Sequence, residues 1–170
     1  MRKIILFYLL LVVVIFVSVG FANTEDTIKD FADYLVEGDF RNASYYVSCS
    51  DGYFSEEAMM DREDYLNDIV KIDWARNMET LRSKGIYIEN MKLTDFHEAD
   101  SNAYVGYTDI TIIDGDNKIE GKAKLYLSQM PRAQWNITKI VFEQMDVNSN
   151  VNLLEETLNN HLKLPPWYEK

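Results

Sequence analysis

The chain of 170 residues carries 17 Lys plus Arg against 28 Asp plus Glu, one Cys, three Pro and seven Gly, and 13% of it is aromatic. Those figures fit an ordinary globular chain with a sizeable core and exclude disordered, collagen-like and disulfide-stapled classes. No stretch matches a catalytic, nucleotide-binding or metal-binding motif, so composition and spacing leave the biochemical activity open.

Arg2 and Lys3 precede an unbroken apolar run from Ile4 to Val17, and Gly20 and Ala22 put small residues three places and one place before Asn23. That is the pattern of a secretory signal. The run is short for a bilayer-spanning helix, although Ser18 to Ala22 could extend it, so residues 1–22 are expected either to be cleaved or to remain as a membrane anchor. In both cases the rest of the chain is expected to be extracytoplasmic, with any membrane contact made only by residues 4–22. Loss of Arg2 and Lys3 takes the formal charge from −11 to −13. Such a surface repels nucleic acid and anionic lipid and attracts basic partners or cations, unless it serves solubility alone. Cys49 has no second cysteine to pair with and lies well beyond the cleavage site, which excludes it as a lipidated first residue; a buried, inert thiol is expected.

Thr24 to Val36 places Ile28, Phe31, Ala32, Leu35 and Val36 at helical spacing, with Glu25 and Asp26 in the first turn and Gly38 as the stop. A short helix is expected over Phe40 to Val47, then a polar break at Ser48 to Gly52. A third helix, Glu56 to Ser83, carries Tyr65, Leu66, Ile69, Val70, Trp74, Met78 and Leu81 on one stripe and ends before Gly85.

From Ile86 the period changes from 3.6 to 2. Strands are expected at Ile86 to Phe96, Ala103 to Ile113, Lys118 to Gln129 and Trp135 to Glu143, forming an antiparallel meander with one covered and one wet face. The turn Asp114-Gly115-Asp116-Asn117 sets Ile112 against Ile119, Ile110 against Gly121, Thr108 against Ala123, Gly106 against Leu125 and Tyr104 against Leu127. On the other face it sets Asp109 against Lys122 and Thr111 against Glu120. The register of the last hairpin stays open, because neither face of Trp135 to Glu143 is clearly apolar. A final helix, Asn150 to Leu164, bears Val151, Leu154, Leu158 and Leu162 on one stripe and stops at Pro165-Pro166.

The phrases Tyr34-Leu35-Val36-Glu37-Gly38-Asp39-Phe40-Arg41-Asn42-Ala43 and Trp135-Asn136-Ile137-Thr138-Lys139-Ile140 resemble the small secreted bacterial type of the nuclear transport factor two-like superfamily. The resemblance implies a cystatin-like α+β fold, with N-terminal helices packed on a curved four-stranded antiparallel sheet over residues 23–147. The C-terminal helix and tail, residues 148–170, depart from the minimal family pattern. The superfamily holds isomerases, dehydratases, transport adaptors and domains without known chemistry, so the fold alone does not imply an activity.

In that fold a ligand would sit between the helices and the concave face of the sheet. Gly106, Gly121 and Ala123 would leave room there, and Tyr104 and Thr108 would offer polar groups, making Tyr104, Gly106, Thr108 and Ala123 the candidate ligand-binding residues. The competing reading is a hollow filled by bulky residues such as Trp74 or Met78. No catalytic residue is assigned. Asp109 faces outward and Asp95 ends the first strand, so the sheet supplies no inward general base. His97 and His161 stand alone, Asp114 to Asn117 fits a hairpin better than a calcium loop, and neither a metal nor a cofactor is expected. Tyr45, Tyr46, Tyr53 and Phe54 either close the helical layer or form a protein-binding rim. The C-terminal helix with Pro165-Pro166-Trp167-Tyr168 is either a strap on the domain or a partner element.

The leading expectation is a non-catalytic extracytoplasmic domain that binds a protein partner or mediates assembly at the cell envelope. A small-ligand binder or isomerase-like protein is the alternative. A third reading is an acidic inhibitor or immunity protein that captures a basic target.

Overall fold

The computed structural model describes residues 24–47, 60–100, 103–129 and 135–160, with the backbone alone at 60–69 and at Gln129. The leader, Cys49, Tyr53, Phe54, His161 and the Pro165 to Tyr168 tail lie outside the described residues. Helix α1 spans 24–37. It ends where Gly38 takes φ +82°, so that the Asp39 and Gly38 amides donate to the Tyr34 and Leu35 carbonyls at 2.9 and 3.3 Å and satisfy the helix end. The expected second helix is an α-helical turn α2, Phe40–Ala43, capped by the Asp39 carboxylate, followed by a 3-10 turn, Ser44–Tyr46. Helix α3 runs Met60–Ser83.

Four strands follow, β1 Ile86–Asp100, β2 Ala103–Asp114, β3 Asn117–Gln129 and β4 Trp135–Glu143, in one antiparallel sheet of order β1-β2-β3-β4. The β2–β3 register agrees with the expectation at every pair named above. It is set by a two-residue turn in which Gly115, at φ +61°, supplies the left-handed conformation the hairpin needs, and its amide donates to the Gly85 carbonyl.

The edge strands break the simple alternation. In β4, Tyr126 pairs with Lys139 but Leu127 with Ile137, so Thr138 is an extra residue. The bulge lets Ile137, Ile140 and Phe142 all point inward, which is why neither face looked apolar in sequence. In β1, Glu89, Thr94 and Ala99 are extra, and the inward positions run Ile88, Met91, Leu93, Phe96. These bulges also carry β1 on to Asp100, beyond the expected end at Phe96. At Thr94 and Thr138 the freed hydroxyl donates to a carbonyl of the neighbouring strand, Tyr107 at 3.0 Å and Tyr126 at 3.2 Å.

Helix α4, Ser149–Asn159, is part of the same core: Val151, Leu154 and Leu158 are fully buried with Ile28, Phe31, Trp74, Leu125 and Ile140. The Trp74 indole N–H donates to the Leu158 carbonyl at 3.2 Å. Asn148 caps α4 through the Asn150 and Val151 amides, and Asn148 and Asn150 both donate to the Asp114 carboxylate at 2.8 Å, fixing α4 to the β2–β3 hairpin. The fold is thus α+β, with helices on one face of the sheet. Among the described residues no helix is long and apolar enough to cross a membrane.

Candidate functional site

The concave face is built by alternation along β2 and β3. Tyr104, Gly106 and Thr108 recur every second residue on β2, and Leu127, Leu125 and Ala123 stand opposite them on β3. The structure therefore brings the four candidate residues to one face. Thr108 and Ala123 are fully buried, and the Thr108 hydroxyl donates to the Ala123 carbonyl at 3.3 Å. Tyr104 lies at the far end of the row, stacked on Phe96 at 5.2 Å and met edge-on by Trp135 at 4.9 Å. Burial first, and the Glu98 carboxylate second, push its phenol up from the ordinary value.

The room over the glycines is taken by other side chains. A methyl group on Gly106 would lie 2.3 Å from Cδ1 of Ile28, which α1 drives into the gap. One on Gly121 would lie 2.5 Å from Cβ of Met145. Met145 arrives there because Gln144 adopts φ +52° and turns the chain sharply after β4, a conformation that costs a non-glycine residue on the order of 1 kcal/mol. Trp74 and Met78, the expected fillers, are each 2% exposed and pack in the same core, Trp74 tilted against Phe31 at 6.4 Å.

The buried polar residues among those described are Thr24, Thr27, Ser44, Thr108, Thr111 and Thr157, none of them an acid. Asp109 is exposed on the outer face between Lys92 and Lys122. Asp95 is also exposed and accepts from the Phe96 amide at 2.8 Å, with His97 3.9 Å away. No group of three or more His, Cys, Asp or Glu suited to a metal occurs among the described residues. Two surface clefts lie elsewhere. One of about 420 Å³ runs between β4 and α4 beside Lys139, Glu155 and Asn159, and one of about 510 Å³ between α2, the 3-10 turn and α3 beside Arg41, Tyr45 and Lys71. Neither is lined by Tyr104, Gly106, Thr108 or Ala123.

Tyr46 and Tyr45 diverge. Tyr46 packs on Tyr34 at 5.9 Å and donates to the Asp30 carboxylate at 3.1 Å, closing the helical layer, whereas Tyr45 is 50% exposed. The outer face of the sheet holds a cluster that the sequence reading did not single out. Lys124 lies over Tyr107 and Tyr126, Lys139 over Tyr126, and His97 stacks on Tyr107. Its only trace in the sequence was Lys124 and Tyr126 two residues apart on the wet face of β3; Tyr107 and Lys139 join them through strand pairing.

No protein-family model matches the chain, and none of the curated proteins does. Among solved structures the chain is similar to Rv3472 of Mycobacterium tuberculosis, a protein described as of unknown function, with 10% identity, TM-score 0.49, and coverage of 85% of this chain and 90% of that one. It is also similar to a candidate dehydratase of the NTF2-like family from Streptomyces avermitilis, with 12% identity, TM-score 0.45, and coverage of 72% and 94%. A five-residue variant of a protein named Rd1NTF2 matches at 11% identity and TM-score 0.44, covering 70% and 95%. Two of these three carry NTF2 in their names. They carry nothing about activity.

Proposed function

We propose that the chain is a non-catalytic extracytoplasmic domain that binds a protein partner or mediates assembly at the cell envelope. The observation that carries this reading is the occupied concave face: Ile28 stands over Gly106, Met145 over Gly121, and no carboxylate is buried among the described residues. Proton-transfer chemistry in such a hollow requires a desolvated acid or base beside room for a substrate. With the interior committed to packing, recognition falls to the exterior, and the signal-like pattern of residues 1–22 supports the extracytoplasmic reading.

Photo-crosslinking in the native cell, from probes placed singly at exposed positions on the helices and on the sheet, tests this. The expected result is one discrete protein adduct from at least one position, recovered with the envelope fraction. A chain found in the cytoplasm would defeat the localisation. No adduct from any position, together with a small molecule that shifts the NMR signals of Tyr104, Gly106, Thr108 and Ala123, would replace partner binding by ligand binding.

A further inference from the structure

We propose that the outer face of the sheet around Lys124 is a docking surface for an acidic segment of a protein partner; this rests on the protein-binding reading and names its site. Strand pairing sets Tyr107 directly opposite Lys124 and Tyr126 opposite Lys139, so four alternating phenol and ammonium groups lie side by side across three strands. The Lys124 Nζ is 5.0 Å from the centre of the Tyr126 ring and 5.4 Å from that of Tyr107, and the Lys139 Nζ is 5.9 Å from Tyr126. His97 extends the cluster by stacking on Tyr107 at 5.6 Å.

The ion pairs among the described residues use neither lysine. In a chain of net charge −11, two cations thus stand on tyrosines with no ion-pair partner among the described residues. Side-chain hydrogen bonding to Tyr126, and next to Tyr107, raises the Lys124 pKa above its ordinary value. A lysine that served solubility alone would extend into water. Half-buried between two rings, Lys124 is held in place before any partner arrives, which lowers the ordering cost of binding, while Lys139 stands exposed beside it. Tyrosine combines apolar area with a polar tip and dominates the energy of many protein interfaces.

Charge complementarity selects the occupant. Carboxylates of an acidic segment reach Lys124 and Lys139 while its apolar atoms cover the tyrosine edges and the half-buried Val141 between them. A second copy presenting the same face would set lysine against lysine.

The test is an NMR titration of the full chain, in neutral detergent, with poly-L-glutamate as the acidic polypeptide and dextran sulfate as the comparison polyanion. The expected result is saturable shifts at Tyr107, Lys124, Tyr126 and Lys139, tighter for polyglutamate, and weakened about tenfold or more in a Lys124→Glu, Lys139→Glu double variant. Lys124→Gln, which removes the charge without reversing it, weakens binding less, and Lys84→Glu, beyond the end of α3, leaves it unchanged. Shifts absent or located elsewhere overturn the proposal, and so does dextran sulfate binding as tightly, which would make the face a polysaccharide site. An adduct still formed in the cell after such a failure would preserve the protein-binding reading and move its site off this face.

Discussion

Asn159 closes a two-bond ladder with Ile140. Its Oδ1 accepts from the Ile140 amide at 2.9 Å and its Nδ2 donates to the Ile140 carbonyl at 2.8 Å, as a neighbouring strand would do at the edge of β4. Glu155, one turn earlier on α4, accepts from the Phe142 amide at 3.3 Å, and Val47 forms a parallel bridge with Ile137 farther along the same edge. Asn159→Ala leaves two partly buried backbone groups without these partners, and a loss of about 1–3 kcal/mol is expected. Urea denaturation should show a lower midpoint with an unchanged slope; an unchanged midpoint would mean that water replaces the amide at no cost.

Gly106 and Ile28 should behave as a coupled pair. Gly106→Ala puts a methyl group where the Ile28 terminus already sits, and overpacking of this kind costs about 1–3 kcal/mol. Ile28→Val alone costs about 1 kcal/mol by removing a buried methyl. The double variant should lose less than the two separate costs together, because the shortened side chain makes room for the new one. Simple additivity in thermal or chemical denaturation would show that Ile28 does not fill this space.

Alkaline pH should destabilise the helical layer through Tyr46. Burial first, and its hydrogen bond to Asp30 second, push this phenol up to about 12 from an ordinary 10.0. A raised folded-state pKa favours the neutral form, so the contribution is complete below pH 10 and falls away as the pH rises toward 12. Stability measured across that window should decline more steeply in the parent than in Tyr46→Phe, which cannot ionise. Parallel curves would assign the decline to other tyrosines.

Gly38→Ala should destabilise by about 1 kcal/mol or more, since φ +82° is unfavourable for a residue with a Cβ. The added methyl would also sit 2.4 Å from Nη1 of Arg82, whose guanidinium donates to the Val36 carbonyl and lies over Tyr87. Adding Arg82→Ala should remove the crowding but leave the backbone strain, so recovery is partial. Full recovery, read from denaturation midpoints, would locate the whole cost in the guanidinium contact.

How far the fold could be read in advance depended on where the period of two was intact. β2 and β3 alternate without interruption and meet at a two-residue turn, so Asp109 opposite Lys122 and Thr108 opposite Ala123 were both legible. β4 was not, because Thr138 adds a residue and returns Ile140 to the side of Ile137. At the candidate site the glycines advertised a gap, but what enters it depends on how α1 lies across the sheet and on the Gln144 turn, neither of which spacing encodes. The pairing of Asn159 with Ile140 left no trace in the sequence either, since a helix-end asparagine has many uses.

The two margins of the sheet are unequal. A strand from another molecule arriving at β4 finds Asn159, Glu155 and Val47 already in the positions it would take. One arriving at β1 meets a margin interrupted at Glu89, Thr94 and Ala99, where it would lose step every few residues, and exposed acids at Asp95, Glu98 and Asp100. Growth into a fibre by edge-to-edge addition is blocked at both ends. The molecule can therefore keep a tyrosine-bearing face open to water without offering a free strand edge beside it.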